Sequence, residues 1–595
     1  MVSLRALVAA SVFAGAVTAA QTALALERNL PPLPAAAGAA ITTDAAAPAT
    51  GDKSSFGVRL RGITLYGLDD DAPGDGNIIN IVGVRGIEKS ELERAIAPYL
   101  GQELSLYLIN EIKAAVAARY REAGKPLVSV ATPPQEITSG KLQLQVVPFE
   151  LGRVIAKDDD KTTISVLDRL QAKVGELVDT VSLADDIDWI NRYPFRFISG
   201  IFEPGTKPGT TDFVVTAERK TPFTAYAGYS NSGNKASGYS RYFLGFTAGI
   251  EALNDLVISY QTTASNQFWN DFAETKWPDY MSHAARFAFS VGPRQIVEIS
   301  PNYVNSRQLS VDRILEFRNK TFELPILYRT AARNLIQSGA VNGEFYFGTA
   351  FKWMQRTTAF DDIRLAAGRA AIANMVAGWA GVFKDGANGQ VTYDMRIVAN
   401  PGGIVPGNTD RHWSEYTNGR VTSSRYVYAL AQIDRTMPLD NLFGSGSALV
   451  TSFTGLLAGQ ALPDSEQLSL GGMSAVRGYS SEEASVDTGF VLRNEIRLPA
   501  FSILGQSALG QSAGVSDAAV PYLFADLGWG MNYNQKVYLS PNLKAHSTLA
   551  SVGIGLDYRL MQNIRADMLV GLALTDGRTT KAGDFRFQTR MSVSF

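Results

Sequence analysis

Residues 585–595 hold the cleanest two-residue alternation in this chain. Phe585, Phe587, Met591, Val593 and Phe595 fall on one face of an extended strand. Arg586, Gln588, Arg590, Ser592 and Ser594 fall on the other. The pattern recurs upstream. Val552, Ile554, Leu556, Tyr558 and Leu560 oppose Gly553, Gly555, Asp557 and Arg559. Tyr242, Leu244, Phe246, Ala248 and Ile250 share a face, as do Leu256, Ile258 and Tyr260 after a short turn within 249–255. Phe322, Leu324, Ile326 and Tyr328 alternate with Thr321, Glu323, Pro325 and Arg329. Soluble sheets also alternate. Here, however, the opposite faces carry Gly, Ser, Thr, Arg and Asp and offer no second apolar set for a soluble core. No later apolar run reaches spanning length, so membrane integration requires a closed barrel. Residues 221–595 suffice for about 16 strands of ~10 residues with their turns and loops. The expected fold class is membrane all-β: a transmembrane antiparallel barrel preceded by smaller domains.

The N-terminus fits that destination. Arg5 supplies a positive start, 7–17 an apolar stretch, and Ala23-Leu24-Ala25 a small-x-small cleavage site, with Thr18-Ala19-Ala20 a second candidate. Residues 1–25 read as a secretory signal peptide. Residues 26–55 are rich in Ala, Pro and Thr and read as a linker, with 35–40 a candidate short helix. The absence of Cys removes disulfides, thiolate metal sites and Cys nucleophiles together. A net charge of −2 gives no basis for nucleic-acid binding.

Between linker and barrel the period changes twice. Residues 56–147 begin with a strand over 56–65. A capping box, Ser90-x-x-Glu93, then precedes Leu92, Ile96 and Leu100. A helix over 105–123 has Ile109, Ile112, Val116 and Tyr120 on one stripe and Gly124 as its stop. Strands follow at 127–131 and 141–147. Residues 148–220 repeat the order. They hold a strand at 151–156, a helix at 164–174, a helix capped by Ser182-x-x-Asp185 and ending before Pro194, and strands at 197–202 and 212–217.

One loop stands out among the barrel strands. Gly471-Gly472-Met473-Ser474-Ala475-Val476-Arg477-Gly478-Tyr479 lies between strand-like segments at 448–459 and 490–498. The second segment puts Phe490, Leu492, Ile496 and Leu498 on one face and Arg493, Glu495 and Arg497 on the other. A guanidinium inside a barrel needs a carboxylate, because an unpaired charge away from bulk water is costly. Gly478 permits a sharp turn, and Tyr479 can pack its ring while its hydroxyl finds an acceptor.

Enzyme chemistry finds no footing. His283, His412 and His546 are far apart and lack metal spacing. There is no phosphate loop, nucleophile elbow or zincin helix. Asp69-Asp70-Asp71 with Asp75-Gly76-Asn77 lacks the EF-hand spacing and reads as a solvated loop. No catalytic residue, cofactor or metal is expected.

Val476-Arg477-Gly478-Tyr479 matches the loop signature of the outer-membrane assembly and secretion superfamily, whose barrels carry periplasmic polypeptide-transport-associated (POTRA) domains. A second signature, Phe-x-Asp-x-Gly, stands at Phe524, Asp526 and Gly528. The twice-repeated β-α-α-β-β order resembles tandem POTRA domains, at 56–147 and 148–220. The connection 203–212 is similar to the hairpin of a second POTRA domain. Together these features resemble the two-partner secretion transporters of the haemolysin and filamentous-haemagglutinin type. The resemblance implies capture of an unfolded, large secreted exoprotein by the POTRA domains and conduction through the barrel without ATP. It implies a monomer in outer-membrane lipid of a Gram-negative bacterium, inserted by the barrel-assembly machinery, with Phe595 as the assembly signal. It also implies that Arg477 pairs with Asp526, with Glu495 as a second candidate, in a wet lumen where such a pair contributes about 1 kcal/mol. The family's N-terminal plug helix is not evident in the Pro-rich residues 26–55. The alternatives are an insertase, whose cargo is membrane proteins and which usually carries more POTRA repeats, and a passive porin, which needs no chain-binding domain.

Overall fold

The computed structural model describes residues 40–41, 51–68, 78–157, 166–235, 237–265, 278–309, 315–336, 341–360, 363–386, 389–505, 516–534 and 545–595. The signal peptide, most of the linker and the acidic 69–77 stretch lie outside these residues. The chain divides into two compact units: one covers residues 34–220, and the other holds Thr221–Val291 and Gln295–Phe595.

In the first unit, two small α+β domains follow one another. The first has a four-stranded sheet in the order Ile79–Val82, Gly62–Tyr66, Lys141–Pro148, Val128–Ala131. The strand at Ile79–Val82 is an addition to the expected order. Regular pairing starts only at Gly62; residues 56–60 instead bond to the 102–104 stretch, Phe56 N donating to Leu104 O at 2.8 Å. Ile63, Leu65, Leu142 and Leu144 pack against Leu92, Ile96, Ile112, Val116 and Tyr120 of two helices, Lys89–Ile96 and Leu106–Glu122. Ser105 caps the longer helix by accepting from Leu108 N. The shorter helix has Glu88 at its N-cap with no side-chain cap, so the capping box at Ser90 does not form. Burial pushes the Tyr120 hydroxyl up to about 12 while it donates to Arg85 O at 2.6 Å.

The second domain pairs Arg196–Pro204 with Thr210–Arg219, which in turn pairs with Glu150–Ala156. Its helix, Thr180–Ile190, is capped by Asp179, which accepts from Ser182 N at 2.9 Å, so the cap lies three residues before the expected Ser182. Of the helix expected over 164–174, residues 164–165 lie outside the described residues; the described part is helical at Val166–Leu167 and has ended by Gln171, whose N donates to the Asp186 carboxylate at 2.9 Å. Leu167 and Leu170 still reach the core of Leu151, Leu183, Ile187, Ile198 and Phe213. Gly200 is required here, because a Cβ would stand 2.1 Å from Phe213 Cζ. Ala40 and Ile41 are extended and pair in parallel with Ser199 and Gly200, so the candidate helix over 35–40 does not include Ala40.

The second unit is a closed antiparallel barrel. Its strands are β1 Phe223–Ser230, β2 Arg241–Ile250, β3 Leu256–Ser265, β4 Tyr280–Gly292, β5 Gln295–Ile299 with Asn302–Leu309, β6 Leu315–Ala331, β7 Glu344–Phe360 and β8 Ile363–Lys384. Then come β9 Gln390–Asn400, β10 Tyr426–Pro438, β11 Ala448–Ala458, β12 Thr488–Arg497, β13 Asp517–Met531, β14 His546–Leu560, β15 Ile564–Ala573 and β16 Phe585–Ser594. The two ladder segments of β5 lie end to end, giving sixteen strands. Pro301 cannot donate to the ladder, and the break there faces Pro325 of β6, whose carbonyl accepts from Ser300 N at 3.0 Å. β16 pairs with β1 to close the wall, and Phe595 continues the ladder, its N donating to Ala225 O at 2.8 Å. Leu244, Val427, Leu457, Ile554 and Phe587 are exposed on the outer wall. This is the apolar face that the alternation predicts. No described helix is long and apolar enough to cross a membrane.

Candidate functional site: the inward loop

Residues 459–487 connect β11 to β12 and fold back into the barrel. The two limbs pair over Leu468–Ser469 and Ser485–Val486. Part of the loop's contact with the wall is apolar. Leu462, Leu468, Leu470, Val476, Tyr479 and Val486 are fully buried in one cluster with Val398, Tyr428, Leu456, Val491 and Leu549 of the strands.

The tip carries Arg477. Its Nε donates to Asp526 Oδ2 at 2.7 Å and its Nη2 to Asp526 Oδ1 at 2.6 Å. Its backbone N donates to the same carboxylate at 3.0 Å, and Nη1 donates to Glu495 Oε1 at 2.5 Å. The two acids named from sequence therefore act together on one guanidinium. The Phe524 ring lies 4.0 Å from Arg477 Cζ, in cation–π range. Gly528 leaves space for Val476, whose Cγ2 would lie 2.9 Å from a Cβ there. Thus Phe524, Asp526 and Gly528 each receive part of the Val476–Arg477 segment.

Gly478 has φ +85° and sits directly on Gly571 of β15, where a Cβ would meet Gly478 Cα at 2.7 Å. Gly478 N donates to Gln588 Oε1 at 3.0 Å. The Tyr479 hydroxyl lies 2.7 Å from Thr575 O and 2.9 Å from Ala550 O. The wet, partly solvated pair expected from sequence is corrected here: the side chains of Arg477 and Asp526 are 1% and 0% exposed. The apolar limbs of the loop exclude water from them. Removing one partner of such a pair costs about 3–5 kcal/mol, well above the surface value.

Sequence reasoning missed the loop's root. Glu466 takes Lys352 Nζ of β7 at 2.5 Å, Asn374 Nδ2 of β8 at 3.0 Å and the Tyr428 hydroxyl of β10 at 2.8 Å. Lys352 also lies 3.5 Å from Glu323 of β6. Asp487 accepts from Leu462 N at 2.8 Å, Gln467 Nε2 at 2.9 Å and Tyr533 N at 2.8 Å, and pairs with Arg420 at 3.1 Å. Arg420 belongs to the β9–β10 connection, whose short helix Asp410–Tyr416 buries Trp413 against Met354, Ile372 and Ala461. Glu483 accepts from Thr579 N at 2.8 Å and from the Thr580 hydroxyl at 2.5 Å. Glu466, Asp487 and Glu483 are three of the loop's own acids, and their burial shows only in three dimensions. Among the described residues no group of His, Asp and Glu is placed to hold a metal ion.

Two POTRA-like domains and a sixteen-stranded barrel clasping an inward Arg loop define an outer-membrane barrel of the POTRA-bearing superfamily. The comparisons narrow this. The chain belongs to the haemolysin secretion/activation protein family ShlB/FhaC/HecB, whose model matches residues 209–558, and a ShlB-type POTRA domain matches 77–148. It is thus an outer-membrane transporter of the two-partner secretion class, with periplasmic POTRA domains. It is 23% identical over 483 residues to the heme/hemopexin transporter protein HuxB of Haemophilus influenzae, covering 78% of this chain and 77% of that one. It is 23% identical over 427 residues to the outer membrane transporter CdiB of Dickeya dadantii, covering 68% and 69%. The solved CdiB from Escherichia coli superposes with a TM-score of 0.69 at 17% identity, covering 94% of both chains.

Proposed function

We propose that this transporter takes one large exoprotein, unfolded, from the periplasm with its POTRA domains and passes it through the barrel to the cell surface without ATP. The observation that carries the reading is the inward loop. It folds into the barrel and is held there by non-covalent contacts alone, and its tip carries one guanidinium that a passing chain can displace and that can rebind. The POTRA sheets supply the capture mode. Strand Val128–Ala131 is an edge of its sheet, and in the second domain residues 40–41 already lie on the matching edge as an added strand. An extended cargo can bind by the same backbone pairing. Pairing of β1 with β16 through Phe595 supports passage along the barrel axis over sideways release into lipid. The closed wall supports a monomer inserted by the barrel-assembly machinery. Folding of cargo outside gives direction without nucleotide.

Deletion of residues 56–147 tests the capture step. The expected result is an assembled, heat-modifiable, ion-conducting barrel with no cargo in the medium. Normal cargo levels would remove the capture role.

A further inference from the structure

The clasp around Arg477 contains one cation more than a static clip needs. Arg493 on β12 stands directly opposite Asp526 of β13 in the strand register, so both side chains leave the same inward face. Asp526 gives both oxygens to Arg477. Arg493 is left with a 3.5 Å approach of Nη2 to Glu495, and its buried Nε meets no hydrogen-bond acceptor among the described residues. The next guanidinium along the strand differs. Arg497 Nε donates to Glu495 at 3.0 Å, and its Nη1 lies 3.5 Å from Asp557. Of three guanidiniums, only Arg493 is under-bonded, and it is the one beside Asp526.

In the closed clasp this placement is unfavourable, because Arg493 adds like charge near Arg477 without a full partner of its own. It gains a purpose once Arg477 leaves. A buried carboxylate stripped of its cation is costly, and a cation within reach on the neighbouring strand removes that cost. We propose that Arg493 is the exchange partner of the clasp. As the loop withdraws Arg477, Arg493 turns onto Asp526 and keeps the wall neutral while cargo occupies the lumen. It is a positioning residue for loop release. The inference rests on the reading that the loop tip lets go during secretion.

The chain has no Cys, so Ala475→Cys places a single thiol at a fully buried tip position. Its labelling by a maleimide in cells secreting cargo reads tip release. In the otherwise unaltered chain, labelling is expected to rise when cargo is co-expressed. If it does not rise, the tip stays in place, and the release reading falls together with the exchange. With release established, Arg493→Gln is expected to slow labelling and secretion about tenfold, the value of one charge-assisted hydrogen bond. Asp526→Asn loosens the clasp by itself, so it serves as a background: in it, Arg493→Gln should no longer slow labelling, since a neutral amide needs no replacement cation. A merely structural role for Arg493 would not predict that relief. Arg493→Lys keeps the charge and carries the test if the Gln variant fails to assemble; it should label at a rate near the parent's. Labelling of Arg493→Gln as fast as the parent, slowing that persists in the Asp526→Asn background, or a Lys variant as slow as Gln would each overturn the exchange.

Discussion

The tip and the root of the inward loop are both held by buried charge, with the polarity reversed. At the tip the loop brings the cation and the wall supplies the acids, Asp526 and Glu495. At the root the loop brings the acids, and Lys352, Asn374, Tyr428 and Arg420 answer them from the wall and the neighbouring connection. The bonding also differs in kind. Most of the tip's polar grip is one guanidinium fork. The root spreads its grip over two carboxylates, each with several donors, and some of those are backbone N–H groups of the connections themselves. Moving the Arg477 side chain breaks the tip's ion pairs in one step and leaves the Gly478 and Tyr479 hydrogen bonds and apolar packing to yield, whereas the root's charged contacts must be broken one by one. The difference makes the root an anchor and the tip a catch.

The largest expected effect tests the anchor. Lys352→Met leaves Glu466 and Glu323 buried without their cation, at a cost of about 3–5 kcal/mol. The temperature of the heat-modifiability transition should fall, and so should the amount of assembled barrel. Combining it with Glu466→Gln should recover part of the loss, because one uncompensated charge is gone. An unchanged transition would mean the root is no anchor.

Next is the catch. Arg477→Ala should cut secreted cargo sharply yet spare more assembled barrel than Lys352→Met, because Arg493 stands opposite Asp526 and can answer the freed carboxylate. Arg477→Lys should rescue poorly, because an ammonium cannot reproduce the planar fork on Asp526. The charge swap Arg477→Asp with Asp526→Arg, assayed beside each single variant, should secrete better than either. If both singles secrete normally, the catch has no part in transport. A smaller effect is expected from Gly478→Ala. A Cβ in the left-handed region costs about 1–2 kcal/mol, and here it also presses on Gly571. Secretion should fall partway, with labelling of the tip thiol faster than in the parent. The smallest effect should come from Thr580→Ala, which removes one hydroxyl from Glu483 and costs about 1 kcal/mol. Cargo levels should stay within about fivefold of the parent's, the ratio that ~1 kcal/mol corresponds to.

How much of this was legible depended on whether the information is local in the chain. A period of two with small polar residues on the second face survives in any window, so the barrel could be read from strands such as β14 and β16. The tip could be read because Val476 to Tyr479 are contiguous and Phe524, Asp526 and Gly528 sit two apart, along one face of one strand. The root could not. Lys352, Asn374 and Tyr428 come singly from three strands, and Glu466 follows Pro463-Asp464-Ser465, which looks like a solvated turn. The burial of Arg477 was underestimated for a related reason. Leu468, Leu470 and Val486 were visible as apolar residues, but only the pairing of the two limbs brings them around the clasp. Helix caps failed on register. Asp179 and Ser182 are three apart, and either could open a capping pattern, so the tertiary fit chose between them.

Asp487 has a wider consequence. One carboxylate collects Arg420 from the 401–425 connection, Leu462 and Gln467 from the inward loop, and Tyr533 from the connection after β13. Three surface connections therefore share one energetic junction. Anything at the cell surface that grips 401–425 and draws Arg420 away weakens the hold on the inward loop. Linkage makes the effect mutual: a loop displaced by cargo alters, by the same factor, how tightly 401–425 is held by whatever binds it.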